Sequence, residues 1–389
     1  MNLQFWLQPT ILRLLTLCLL LGTAGASVFP VLSTHLAENL GIQPLWIGVF
    51  FGANTLAGIG VSQWLAKRSD AGMSRMRILY VAISVSMLGS VGLGFIQWYP
   101  GLMMAGMVWF GLSSTAQPQL FALAREQVDD RQAALFQSVL RATISLSWIA
   151  GPPLAYLLFE QIGFRNLMLI TAGLFALCLL MLPGLKDTRL TQSAQSVTVT
   201  DPRILGLMGV IIALFAANSM YIVYMPIYVR EVLGLLGIAP GLLMGLAAGL
   251  EIPIMIGGGA RAHRWPLFAP LKVAAMCGVV FYLGVWWFDS FTAMLVLQVF
   301  NAGLVGLAAG LGISIFQSLM KDRLGMASTL YTNAIKIGSL TGSALGGVIA
   351  QVGGFDWVFL SCALLAVVAF GMVLWVGRHQ GRTQTTPSA

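Results

Sequence analysis

The chain has 389 residues, of which 58% are hydrophobic and only 9% charged, against about 25% charged in ordinary soluble domains. That balance excludes a water-soluble globule and describes an integral membrane protein. The formal charge of +8 would suit a nucleic-acid partner, but the positions of the basic residues assign it to membrane topology instead.

Apolar stretches of about 20 residues, enough to cross roughly 30 Å of hydrocarbon, recur along the whole chain. Their limits are 9–30, 45–65, 78–96, 101–124, 135–159, 167–185, 204–229, 241–260, 273–288, 291–315, 329–352 and 357–376, twelve in all. Each is expected to be a helix, because backbone groups facing lipid must be satisfied within their own segment. The first span ends in "LLLGTAGAS", an Ala-x-Ala pattern that could mark a signal-peptide cleavage site. Against cleavage, the apolar run continues to Val31, little positive charge precedes it, and the repeat described below requires the segment.

Most of the 21 Lys and Arg residues fall in alternate connections and the C-terminal tail: Lys67, Arg68, Arg75 and Arg77, then Arg125 and Arg131, and so on to Arg378 and Arg382. The opposite set of connections holds only Arg165 and Arg230. The positive-inside rule makes the first set, and with it both termini, cytoplasmic. The four cysteines all lie inside spans and read as small apolar packing residues, with neither disulfide nor metal spacing.

"FPVLSTHLAENLGIQP" (29–44) and "MPIYVREVLGLLGIAP" (225–240) align at an offset of 196 residues, Pro30 with Pro226 and Pro44 with Pro240. Gly48 and Gly245 extend the match, as do Arg141 and Lys336, each ten residues before a glycine. The chain therefore reads as a duplicated six-helix unit: bundles 1–185 and 204–376, a polar linker 186–203 and a tail 377–389. Parallel repeats of this kind are a transporter plan with the site near mid-membrane.

Charges at bilayer depth cost several kcal/mol unless they face a cavity or a partner. Arg13 is one turn from its span's cytoplasmic end and can snorkel. Arg141 is deeper, with Trp148 seven residues on and on the same helical face. A guanidinium fork and an indole in one stripe suit a sugar, whose hydroxyls accept hydrogen bonds and whose apolar face stacks. The alternative is that Arg141 ties helices together and Trp148 packs in the core. Glu251, in the middle of "AAGLEIPIMIGG", is the only acid inside the span limits and is a candidate for both proton coupling and substrate binding. The alternative for it is to pin two helices. Asn54 is its repeat equivalent, and Lys336 is that of Arg141.

Asn218, Tyr221 and Tyr224 in span seven, Asn301 in span ten, and Gln117 with Gln119 in span four can each bond sugar hydroxyls. Each can equally bond a neighbouring helix, at about 0.6 kcal/mol. His35, His263 and His379 fall in loops or the tail, outside any intramembrane relay. No nucleophile constellation, phosphate loop or metal set is visible, so neither enzyme activity nor a cofactor is expected.

Twelve spans in a six-plus-six parallel repeat resemble the major facilitator superfamily. More narrowly, "QPLWIGVFFGANTLAGIGVSQWLAKRSD", "PQLFALARE", "SVLRATISLSWIAGPPLA", "MGLAAGLEIP" and "QVFNAGLVGLAAG" closely resemble the SET-type bacterial sugar efflux transporters. The resemblance implies export of sugars or glycosides by proton antiport. It also implies that helices one, four, seven and ten line the cavity, favouring Asn218, Tyr221 and Asn301. Helices five and eight, and two and eleven, would meet, bringing Arg141 towards Glu251 and Asn54 towards Lys336. The Arg-x6-Trp arrangement is similar to that of lactose-permease-like members. One departure is that "QWLAKRSDAGMSRMR" places Lys67-Arg68 before Asp70, where the superfamily's loop signature puts Gly and Asp ahead of a basic run. The partners expected are a small sugar, protons and the bilayer, with the chain a monomer and no nucleic acid. Two alternatives stay open: an anionic substrate such as a sugar phosphate or organic acid, matched to two deep cations against one acid, and a transport-dead sensor.

Overall fold

A computed structural model of the chain describes residues 6–70, 73–128, 130–185, 202–261, 264–320 and 324–383. Most of the expected linker (186–201), His263, Lys321 and Arg323 lie outside them. The described residues are almost wholly helical: α1 Pro9–Thr34, α2 Pro44–Asp70, α3 Arg75–Phe95 and α4 Tyr99–Glu126. One helical run, Asp130–Met181, is broken at Gly163 (φ 78°, ψ 167°), giving α5 (130–162) and α6 (164–181). Then come α7 Pro202–Glu231, α8 Ala239–Arg261, α9 Ala269–Trp287, α10 Phe291–Leu319, α11 Leu324–Gly353 and α12 Phe355–Thr383. Among the described residues, ten runs are long and apolar enough to cross a membrane, Val139–Met181 counting once across the Gly163 break. α4, with Gln117, Pro118 and Gln119 towards its end, is not among the ten. The all-α membrane architecture expected from the sequence is the one found.

Glycine is needed at position 163 because that backbone region is open to essentially no other residue. It separates two arms that pack on different helices. α5 runs beside α1: Cys18 Sγ donates to the Leu140 carbonyl (3.4 Å), Ser147 Oγ to the Leu19 carbonyl (3.2 Å) and Tyr156 Oη to the Pro30 carbonyl (3.0 Å). α6 returns along α3, with Gly94 against Arg165 and Met168. Its end meets the start of α1, where Arg13 Nη1 donates to the Pro183 carbonyl (3.1 Å). Arg13 is therefore held at a helix end.

The helices form two compact units. The first comprises Met1–Gly41, Ala53–Gln195 and Leu236–Gly245, the second Ile42–Gly52, Ser196–Leu235 and Leu246–Ala389. The first turns of α2 thus belong with the second unit, where Gly48 rests against Ser343 and Gly347. The first turns of α8 belong with the first, where Gly241 and Gly245 lie against Pro152, Pro153 and Ile149. In the second unit α7 and α11 run side by side as α1 and α5 do. Ser219 Oγ donates to the Ser339 carbonyl (3.1 Å) and Tyr224 Oη to the Ser343 carbonyl (3.0 Å), while Gly342 lies on the backbone of Ala216. Such close approach through small residues replaces the hydrophobic drive that lipid cannot supply between helices.

One sequence expectation is corrected. Span one does not end at Pro30, and His35 is not in a loop. The helix continues through Thr34 into a π-turn, His35–Asn39, and the His35 ring stacks on Phe164 at 3.7 Å and 7°. Pro30 removes one N–H from the ladder, and the helix passes it all the same. The Pro30 carbonyl receives Ser33 Oγ (2.8 Å) and Tyr156 Oη (3.0 Å), and the tyrosine ties this turn to α5.

Candidate functional site

In the first unit, the seam of α5 towards α1 is built by Leu140, Ser147, Gly151 and Tyr156, all buried. Arg141 and Trp148 each stand one residue, or about 100° of helical turn, off that seam. Arg141 is exposed and Trp148 half-buried, so both belong to the flank and neither to the α1–α5 core. On α2, Asn54 is 0% exposed, and neither its Nδ2 nor its Oδ1 has a hydrogen-bond partner among the described residues. It lies one turn before Gly58, where α2 meets Ser114 and Phe110 of α4. Gln117 on α4 is half-buried. Its neighbour Gln119 is committed elsewhere: its Oε1 accepts from Arg75 Nη1 at 3.3 Å, tying α4 to the first turn of α3.

In the second unit, α8 and α10 approach through glycines. A Cβ on Gly306 would lie 3.4 Å from the Glu251 carbonyl, and one on Gly310 would lie 3.0 Å from Met255. Glu251 is half-buried beside this seam. Lys336 is half-buried on α11, two residues before Gly338, which meets Ile212, Phe215 and Ala216 of α7. Asn218 lines a narrow crevice between α7 and α10, with Leu214, Phe215, Leu304, Val305 and Ala308. Tyr224, with its hydroxyl on the Ser343 carbonyl, is part of the α7–α11 seam.

Tyr221 and Asn301 are brought together by a residue that the sequence reading passed over. Gln298 donates from Nε2 to Tyr221 Oη (2.9 Å) and to the Met294 carbonyl (3.2 Å), and it accepts at Oε1 from Asn301 Nδ2 (2.8 Å). All three side chains are buried. The available signal was the i, i+3 spacing of two amides in an otherwise apolar span. Each unit therefore carries polar groups held within apolar helices, and among the described residues these groups form no nucleophile or acid–base pair. Among the described residues there is also no group of His, Cys, Asp and Glu that could hold a metal.

The described residues make an all-helical membrane protein with polar groups set into its membrane-spanning helices. Residues 99–324 match the Major Facilitator Superfamily, and two solved structures share the fold. The nucleoside transporter NupG, in a mutant form, superposes with a TM-score of 0.82 at 11% identity, over 94% of this chain and 99% of that one. A bacterial homolog of the human lysosomal transporter Spinster gives 0.78 at 13% identity, over 95% and 96%.

The curated relatives are more specific. Sugar efflux transporter A of Escherichia coli (strain K12) is 40% identical over 90% of this chain and 92% of its own length. The corresponding protein of Dickeya chrysanthemi is 36% identical over 92% and 93%. Sugar efflux transporter C of Escherichia coli (strain K12) is 33% identical over 95% of each. The chain belongs to the major facilitator superfamily and, within it, to the family of the bacterial sugar efflux transporters. It is a multi-pass membrane protein and not an enzyme.

Proposed function

We propose that the chain exports sugars or glycosides of the lactose or glucose type across the bacterial inner membrane, by alternating access coupled to proton antiport, as a monomer with both termini cytoplasmic. The observation that carries this reading is full-length likeness, at 33–40% identity, to proteins named as sugar efflux transporters. The side chains support it. Arg141 with Trp148 off the α1–α5 seam, and Asn54, Asn218, Tyr221, Asn301 and Gln117 in the spans, are donors, acceptors and an aromatic face of the kind that binds sugars. Glu251 is the group assigned to the coupling proton, and Arg141 and Lys336 are the cations assigned to substrate binding.

The deciding experiment is counterflow of labelled lactose and glucose in proteoliposomes, with and without an imposed pH gradient. Sugar-dependent counterflow, and uphill movement only with the gradient, are expected. Flux of neither sugar would sink the reading. An anionic substrate is the second reading, favoured by two deep cations against one acid, and competition by phosphorylated sugars separates the two.

A further inference from the structure

We propose that Gln298 fixes the hydrogen-bond polarity of the α7–α10 wall, so that Asn301 presents a bare acceptor and the site selects neutral ligands with hydroxyl donors over anions. This rests on the sugar-transport reading above and adds the positioning residue that would enforce it.

A backbone carbonyl sets this polarity. The oxygen and nitrogen of a carboxamide have nearly the same shape, so an isolated amide can be turned either way. Gln298 cannot. One end of its amide meets the Met294 carbonyl at 3.2 Å, and a carbonyl only accepts, so that end must be the nitrogen. Its oxygen then faces Asn301 at 2.8 Å, which must answer with its own nitrogen. Asn301 Oδ1 is therefore turned away from Gln298. It is buried, in a residue 3% exposed, and no donor reaches it among the described residues. At the other end of the chain, Tyr221 Oη accepts from Gln298 Nε2 (2.9 Å) and keeps its own proton for donation.

The bare oxygen has a defined place. On α10, Asn301 shares a helical face with Leu304, Val305 and Ala308, at i+3, i+4 and i+7. On α7, Tyr221 lies three residues beyond Asn218 and seven beyond Leu214. Those residues line the narrow α7–α10 crevice, so the Tyr221–Gln298–Asn301 chain lies one turn further along the same pair of helices. A ligand that opened this seam would meet an acceptor at Asn301 and a donor at Tyr221. A hydroxyl group both donates and accepts, and so satisfies either. A phosphate or carboxylate at neutral pH brings oxygen lone pairs to an oxygen that needs a proton, and is disfavoured.

The test uses the full-length chain in proteoliposomes. Counterflow of labelled glucose and labelled lactose is competed by each sugar's monodeoxyfluoro derivatives, in which one hydroxyl donor is replaced by fluorine, and by its phosphorylated form. For the parent protein, at least one fluoro derivative should compete roughly tenfold worse than the sugar, the scale of one lost hydrogen bond, and the phosphorylated form should compete worse still. In Gln298→Met the Asn301 amide loses its fixed orientation, and the penalty on that derivative should fall to about twofold or less, whatever happens to overall affinity. A purely structural role for Gln298 would weaken all competitors alike and leave their ratio unchanged. Asn301→Leu, which removes the acceptor itself, should collapse the same ratio and serves as the second variant if Gln298→Met does not fold. An unchanged ratio in the folded variants, or a phosphorylated sugar competing as well as the neutral one in the parent, overturns the proposal. Absence of glucose and lactose flux in the parent protein would instead remove the sugar reading on which it rests.

Discussion

Tyr282 on α9 is 0% exposed, and its hydroxyl has no hydrogen-bond partner among the described residues. A buried hydroxyl left unmade costs about 1–3 kcal/mol, whereas an apolar replacement of the same shape can be stabilising. Tyr282→Phe is therefore expected to raise the melting temperature in detergent, and a lower melting temperature would mean that the hydroxyl has a partner after all. Trp148 makes a different case, because it stands off the α1–α5 seam and is only half-buried. Trp148→Ala should leave expression intact and weaken apparent sugar affinity roughly two- to tenfold, the range of one aromatic contact. Unchanged affinity would return Trp148 to a packing role. Arg141→Lys should also transport poorly, since an ammonium lacks the planar fork of a guanidinium; transport at the parental rate would rule out bidentate recognition.

Among the helices, glycines divide by what their missing side chain would meet. A Cβ on Gly342 would overlap the Ala216 carbonyl where α11 crosses α7, while one on Gly173 of α6 meets nothing within 4 Å. Gly342→Ala should cost about 1–3 kcal/mol by overpacking, and Gly173→Ala should be neutral or stabilise by up to about 1 kcal/mol through helix propensity. Thermal melts of the two purified variants would check the contrast, and equal behaviour would refute it. The span pattern was legible in the sequence because hydropathy over about 20 residues is a strong signal. The boundary between the fifth and sixth spans is an instance: Glu160 and Arg165 mark it, and the structure breaks the helix at Gly163. The outer end of α1 was not legible. Pro30 reads as a stop, and the contacts on the turns beyond it, Tyr156 Oη on the Pro30 carbonyl and the Phe164 ring on His35, come from more than a hundred residues away in sequence. Gln298 escaped for a related reason: its role depends on which amide faces the Met294 carbonyl, and periodicity carries no such direction.

Across the whole molecule, the duplicated sequence is expressed as duplicated packing, with α1 beside α5 in one unit and α7 beside α11 in the other. The duplication is not chemically symmetric. Where the first repeat has Asn54, fully buried and without a hydrogen-bond partner among the described residues, the second has Glu251, half-buried beside the Gly306 seam. One half therefore carries a neutral amide and the other a group that can take up and release a proton. Coupled exchange needs such a group, protonated from one side and deprotonated towards the other, and Glu251 is the only acid inside the apolar span limits. Glu251→Gln keeps the size and hydrogen-bonding capacity of the side chain but cannot titrate, which makes the second half resemble the first. It is expected to abolish uphill export driven by a pH gradient in proteoliposomes while retaining sugar-for-sugar counterflow, because counterflow requires conformational exchange but no net proton movement. If the variant still concentrates sugar under the gradient, the proton travels by another group; if counterflow is lost as well, Glu251 acts chiefly as a ligand for the sugar.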